Sequence, residues 1–393
     1  MTSWRKSAPV MLVCIAVAGP LAHTTWRVLL NNFAVEWLGT DGAQIGAIQS
    51  VREIPGLLAV SILLPLLVLS EQRLLVLALG CLGIGVMATG FVSSLTELFV
   101  ATLVMSVGFH YAETLETSLT LQLMPKEKVH SMLGSMVSAS SVASIVMFLI
   151  ITLLLYFGEL NYTGLYIVGG ASTFFMAMFI GGVFPKFSAE HKQRQHVVLR
   201  KRYGLFYVLT LLSGARRQIF VVFAAFLMVE RYRLTATQMA LLFLVSQILT
   251  IFIAPYVGRF VKKVGERTAL ILEHSGLILV FCSYAFVTHT GVAVGLYLLD
   301  NLFFTLAIAL KSYFKRIADP ADIAATSGVS STINHIAAVW IPVSLGFVWL
   351  SSPGLVFLIG AGLAGLSLVS SFLMSDHADT SEPILAVAKS QPV

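Results

Sequence analysis

Charge is what this sequence has least of. Asp, Glu, Lys and Arg together make up 11% of its 393 residues, where soluble domains carry about 25%. A chain of this length with so little polar surface does not stay in water, so a soluble protein of one or two domains is excluded. Cysteine is scarce too: Cys14, Cys81 and Cys282 lie in separate apolar runs with no CxxC or Cys/His spacing, which argues against a disulfide framework or a zinc site, and no metal ligands are expected. No GxxxxGK[ST] run occurs and no polar stretch could house a nucleotide-binding domain, so direct ATP drive is not expected, and neither is a cofactor. The net charge of +6 would suggest nucleic acid on a soluble chain. Here its meaning depends on where the basic residues lie.

What the chain does have is apolar length. Residues of the AVILMFWYC set make up 57% of it, and a membrane helix needs about 20 of them in a row. Polar and Gly/Pro punctuation cuts the chain into twelve such runs, at 8–37, 43–69, 74–92, 96–124, 130–155, 163–184, 204–230, 235–260, 268–288, 291–316, 326–350 and 354–374. Very short turns such as Gly39-Thr-Asp-Gly42 and Ser93-Ser94-Leu95 join neighbouring runs as antiparallel hairpins. With the N-terminus inside, eighteen Lys and Arg fall in cytoplasmic segments and only Arg231 and Arg233 outside, while Arg27, Arg52, Arg216, Arg217 and Lys311 lie within spans. That asymmetry orients the protein with both termini cytoplasmic, as expected for a bacterial inner membrane. The positive charge is therefore a topology label, with no nucleic acid as partner. The Trp4-Arg5-Lys6 head could open a signal peptide, but the apolar run continues to Trp37, so it reads as an uncleaved first span.

The segment Pro185 to Arg202 is the one long polar linker and divides the spans into six and six. The expected organisation is an N-terminal bundle over 1–184, a cytoplasmic linker over 185–203, a C-terminal bundle over 204–374 and a cytoplasmic tail over 375–393. A shift of 194 to 195 residues matches Glu36 with Glu230, Gln44 with Gln238, Glu71 with Glu266, Phe91-Val92 with Phe286-Val287 and Pro125 with Pro320. Their shared offset predicts a duplicated six-helix unit, a construction common among secondary transporters.

With these features, and with Gly258-Arg-Phe-Val-Lys-Lys-Val-Gly-Glu-Arg267 between spans 8 and 9, the chain resembles the major facilitator superfamily. That loop is similar to the family's G-x-L-A-D-R-x-G-R-R signature at Gly258, Lys263, Gly265 and Arg267, and has Lys262 where the family has Asp. The first-half copy, Leu64 to Arg73, keeps only Arg73, and span 5 lacks the family's glycine-proline antiporter motif. The resemblance implies an all-α polytopic membrane protein of twelve transmembrane helices in two six-helix pseudo-repeats, with spans 1, 2, 4, 5, 7, 8, 10 and 11 around a central cavity. It implies a transporter and no enzyme.

Charges inside spans are costly unless paired or wetted, so each is a functional candidate. They are Arg27, Arg52, Glu53, Glu113, Glu116, Arg216, Arg217, Glu273, Asp300 and Lys311, with His23, His110, His274 and His335 beside them. Arg27 follows His23 by four residues on one face of span 1, and Arg217 aligns with His23 in the duplication. Two guanidiniums from opposite repeats suit an anion clamp, since each grips a carboxylate or phosphate with two parallel hydrogen bonds. The resemblance carries the same implication, because organophosphate antiporters of the superfamily place arginines on these spans. Arg216, Arg52, His23, Asn334 and His335 join Arg27 and Arg217 as substrate-binding candidates. The competing reading has Arg27 and Arg216 pairing with Glu53 or another in-span acid to hold helices together.

His110, Glu113 and Glu116 fall on one face of span 4. A His-Glu-Glu ladder suits proton relay, because burial and neighbouring like charge favour a neutral carboxyl group; an ion-pair ladder to nearby arginines fits equally. Glu53 and Asp300 complete the proton-coupling candidates. Lys311 lies 195 residues after Glu116, so an acid and a base sit at equivalent cytoplasmic depth in the two repeats, as a gating pair would; alternatively Lys311 snorkels to the interface. Gly258, Lys263, Gly265 and Arg267 complete the gating candidates. Glu273 and His274 read as peripheral, with Lys262, Lys263 or Arg267 neutralising Glu273, and Glu36 and Glu230 read as solvated. The expected function is secondary active transport of a small polar, anionic solute by alternating access, proton-coupled or exchanging a counter-anion, by a monomer in the lipid bilayer. Alternatives are export of a cationic, zwitterionic or drug-like solute, or a non-transporting receptor or assembly factor on the same fold.

Overall fold

The computed structural model describes residues 7–158, 160–187, 197–319, 323–374 and 384–388. The middle of the expected linker and most of the expected tail lie outside these residues. The described residues are mostly helical: α1 (Ala8–Leu38), α2 (Gly42–Leu57), α3 (Leu63–Leu66), α4 (Glu71–Thr89), α5 (Leu95–Leu123), α6 (Lys126–Tyr156) and α7 (Tyr162–Val183) form the first half. The second half is α8 (Gly204–Gln218), α9 (Ala225–Glu230), α10 (Ala236–Val264), α11 (Glu266–Phe286), α12 (Thr290–Thr305), α13 (Ile308–Ile317), α14 (Ile323–Ser351) and α15 (Pro353–Phe372). Strands β1 (Val197–Arg200) and β2 (Ile384–Ala388) pair antiparallel. Among the described residues, eleven helical stretches are long and apolar enough to cross a membrane.

Three of the twelve expected spans are not simple helices. Span 2 breaks after Leu57 into a 3-10 turn over Ala59–Ile62 and the short α3, with prolines at Pro55 and Pro65 removing backbone donors. Span 7 changes hydrogen-bonding pattern between α8 and α9, where Ile219–Ala224 is a π-helical segment. Span 10 breaks between α12 and α13 without proline or glycine. There the Thr305 hydroxyl donates to the Leu302 carbonyl (2.6 Å) and the Leu306 and Ala307 amides bond three residues back. A shorter-range bond at each of these positions tightens the turn and ends the α-helix.

The duplication recurs in local chemistry. At the start of α2, Asp41 accepts from the Gln44 amide while Gln44 accepts from the Asp41 amide (2.9 and 3.1 Å). At the start of α10, 194 residues on, Thr235 and Gln238 make the same reciprocal cap (3.3 and 2.9 Å). Trp37 Nε1 donates to the Val92 carbonyl (3.2 Å), and 195 residues later the Tyr232 hydroxyl donates to the Val287 carbonyl (2.8 Å).

The described residues gather into two compact units: unit 1 takes those within 1–40, 51–193 and 234–244, and unit 2 those within 41–50, 194–233 and 245–393. The division is not a plain cut at the linker, because the first turns of α2 pack within unit 2 and those of α10 within unit 1. Small residues permit this: Gly42, Gly46 and Gly346 have no side chain where Trp349, Pro342 and Ala43 approach, so α2 and α14 come close. In unit 1 the Asn32 side chain donates to the Leu234 carbonyl (2.8 Å). Within unit 1, α4 lies along α5 and α7, and α1 along α6 and α7. Gly83 and Gly170 face each other's carbonyls across α4 and α7.

Pro20 sits inside α1. One turn around it is held by a neighbouring helix: the buried Thr173 hydroxyl of α7 donates to the Ala18 carbonyl (2.6 Å) and accepts from the Ala22 amide (3.0 Å). In an undisturbed helix those two backbone groups would bond to each other, so a side chain has been inserted into the hydrogen-bond ladder.

Candidate functional site

Unit 1 brings most of its in-span charges together. His23 and Arg27 come from α1, Arg52 and Glu53 from α2, and His110 from α5. Arg27, Arg52, His110 and Glu53 all lie within electrostatic reach of His23. Arg52 and Glu53 are buried and adjacent in sequence, yet Arg52 reaches Glu53 Oε1 through Nη2 (2.5 Å) and Nε (3.1 Å). Successive helix residues point about 100° apart, so both side chains curl back to meet. The Ser106 hydroxyl of α5 donates to the Arg52 carbonyl and fixes α2 at this level.

Aromatic rings surround these charges. His23 stacks on Phe109 with ring centroids 4.3 Å apart, and Phe109 meets His110 edge-on at 5.1 Å. The Arg27 guanidinium lies 5.5 Å from the ring centroids of both Phe148 and Phe243, and that of Arg52 lies 5.8 Å from Trp26. Cations held against ring faces keep their charge with less water. His110 Nδ1 is 3.9 Å from Glu113 Oε2, but His110 is buried and the Glu113 side chain is 65% exposed. The expected ladder therefore spans different surroundings, with Glu116 half-buried further along α5.

Unit 2 holds a second cluster. Arg216 on α8 is buried and meets Glu273 Oε1 of α11 with both terminal nitrogens at 3.5 Å. His274 and Asp300 are buried beside them. The sequence reading of Glu273 as peripheral and neutralised by Lys262, Lys263 or Arg267 is corrected here: Glu273 lies two turns into α11, facing α8, and Arg267 instead donates to the Phe372 carbonyl (2.9 Å). Arg216 points into unit 2, as its pairing with an in-span acid would require. Its neighbour Arg217 is exposed on α8.

The remaining candidates are scattered over unit 2. Asn334 is exposed and His335 half-buried on α14, Asn334 lying against Gly214, and Lys311 is exposed on α13. Gly258 and Lys263 are exposed on α10, while Gly265 ends that helix in a left-handed conformation (φ 85°) that suits a residue without a side chain. Glu266 pairs with Arg316 (3.6 Å), and a crevice of about 270 Å³ runs between this loop and α13. Glu36 and Glu230 are not merely solvated. Glu36 accepts from Asn32 (3.1 Å) and Tyr162 (2.6 Å), and Glu230 from Trp349 Nε1 (2.8 Å).

Residues 11–342 match the family model described as Major Facilitator Superfamily. The chain belongs to the Major Facilitator Superfamily. It is thus a multi-pass integral membrane protein of a transporter family without enzymatic chemistry, and its general function is secondary transport. Solved structures of transporters resemble it over nearly their whole length. The nucleoside transporter NupG superposes with a TM-score of 0.73 and a point mutant of it with 0.74, each at 16% identity and covering 94% of this chain and 100% of that one. A bacterial homologue of the human lysosomal transporter Spinster, solved inward-facing and occupied, gives 0.71 at 12% identity, over 93% of this chain and 96% of that one. No curated protein matches in sequence. At these identities the likeness speaks for the fold.

Proposed function

We propose that this transporter carries a small anionic solute by alternating access, and that the unit 1 cluster forms its binding contacts. One observation supports this above the others: among the described residues, two guanidiniums and two imidazoles, Arg27, Arg52, His23 and His110, share one locality in which Glu53 is the carboxylate that meets an arginine, while Glu113 beside His110 is largely exposed. A local excess of cationic groups in surroundings poor in water favours a ligand that brings its own negative charge. Glu53 then competes with the solute for Arg52, so loading and release exchange one partner of that arginine for another. Protons or a counter-anion restore the balance, with His110, Glu113 and Glu116 as the proton carriers on α5. Arg217, exposed on α8, is a further substrate-binding candidate. Positive charge concentrated on one side orients the protein with both termini in the cytoplasm.

Thermal-shift screening of purified protein tests the reading, because a ligand at 100 times its Kd stabilises the state that binds it by about 2.7 kcal/mol. Carboxylates or phosphate esters should stabilise the protein, and Arg27→Ala or Arg217→Ala should weaken them. If only organic cations stabilise it and neither substitution matters, the anion reading fails. The rings of Trp26, Phe109, Phe148 and Phe243 favour a second reading, a planar uncharged heterocycle stacked between aromatics. Nucleosides belong in the same panel, since NupG carries them.

A further inference from the structure

The second cluster has a charge count that does not close. Arg216, Glu273, His274 and Asp300 are 1%, 0%, 2% and 0% exposed. A guanidinium is charged at every accessible pH, and Arg216 has two carboxyl groups around it: Glu273, whose Oε1 it meets, and Asp300, within its electrostatic reach. Both oxygens of Asp300 and Oε2 of Glu273 lack a hydrogen-bond partner. His274 Nδ1 stands 4.0 Å from Glu273 Oε1, and neither of its ring nitrogens makes a hydrogen bond.

Among the described residues, the other packed elements do not supply the missing cation. Asp300 and Tyr297 lie within electrostatic reach of the buried Tyr284. Among neighbouring helices, α15 carries no titratable residue and α14 only the half-buried His335. On α13, Lys311, Lys315 and Arg316 are exposed, and the buried Tyr313 belongs to an apolar core. With both carboxyls ionised and His274, whose ring nitrogens make no hydrogen bond, neutral, the cluster would hold a net negative charge away from water. A buried group in that position takes up a proton.

We propose that this cluster is a proton-binding site of unit 2, in which Glu273 and Asp300 share one proton while Arg216 neutralises whichever carboxylate remains. Moving the proton from Asp300 to Glu273 breaks one O–H bond, forms another and leaves the total charge unchanged. Arg216 follows the ionised partner. The proposal does not depend on the anion contacts proposed for unit 1.

Infrared difference spectroscopy on the purified full-length protein tests this directly, through the carbonyl stretch of a protonated carboxyl group at neutral pH. E273Q and D300N each leave one carboxylate opposite Arg216, a balanced pair with no need of a proton. The expected result is that the wild-type minus variant spectrum shows one protonated-carboxyl band for each amide, and that H274N shows none. R216Q should gain a second band; should it fail to fold, the two near-isosteric amides decide alone. Persistence of the full wild-type signal in both E273Q and D300N would overturn the proposal, and so would its loss in H274N alone. Failure of the anion reading would change solute binding and leave this band in place.

Discussion

Replacing Thr173 by valine keeps the shape of the side chain and deletes the hydroxyl that bridges Ala18 and Ala22. If α1 keeps its bend, a carbonyl and an amide are left without partners, at about 1–3 kcal/mol for each buried group. If α1 straightens, the two groups bond to each other and the loss falls to that of an average interhelical hydrogen bond in a membrane, about 0.6 kcal/mol. Pro20 lies between them and its ring opposes straightening, so the expected loss is about 2–3 kcal/mol, at the low end of the bent case and above the straightened one. Thr173→Ser restores donor and acceptor and should stay within about 0.5 kcal/mol of wild type, the scatter of neutral substitutions. Reversible unfolding in mixed micelles reads both values. A valine variant as stable as wild type, or a serine variant as weak as valine, would refute the assignment of the hydroxyl to the helix ladder.

Two more predictions rest on contacts already described, and a third on the gating pair expected from the duplication. Gly83→Ala puts a methyl group against the Gly170 carbonyl and should destabilise the protein by about 1–3 kcal/mol in the same unfolding assay, as overpacking does. Arg267→Ala removes the bond to the Phe372 carbonyl and the contact with that ring, with an expected loss of about 1 kcal/mol. Glu116→Lys and Lys311→Glu should each abolish uptake of whichever solute the screen identifies. The double reversal should recover it; no recovery ends the idea of a gating pair.

Helix placement was legible because lipid makes one demand of every span, apolar length, and the expected limits of span 1 (8–37) and span 12 (354–374) lie close to Ala8–Leu38 and Pro353–Phe372. The reciprocal caps were half legible: Gln44 and Gln238 matched in the duplication, while their partners Asp41 and Thr235 differ in type. Breaks were harder. Prolines mark the end of α2, but the break after Thr305 arises from a threonine hydroxyl competing for a carbonyl, which no breaker residue announces. Among the charges, periodicity located the residues without choosing their partners. It could not tell that Arg52 would fold back on its neighbour Glu53, or that Glu273, on a span read as peripheral, would face Arg216.

The π-helical segment at Ile219–Ala224 has a bearing on how the two repeats should be counted. Such a segment is what remains when one residue is added to a helix and the flanking turns keep their original faces. Beyond it, at Glu230, the repeats are offset by 194; before it, the offset becomes 193. The partner of His23 in the second repeat is then Arg216, and Arg217 falls one place further on. Ancestral symmetry thus relates the histidine of one cluster to the arginine of the other. A single-residue deletion inside 219–224 should therefore be absorbed as a return to ordinary helix, whereas the same deletion a turn earlier would turn Arg216 away from Glu273.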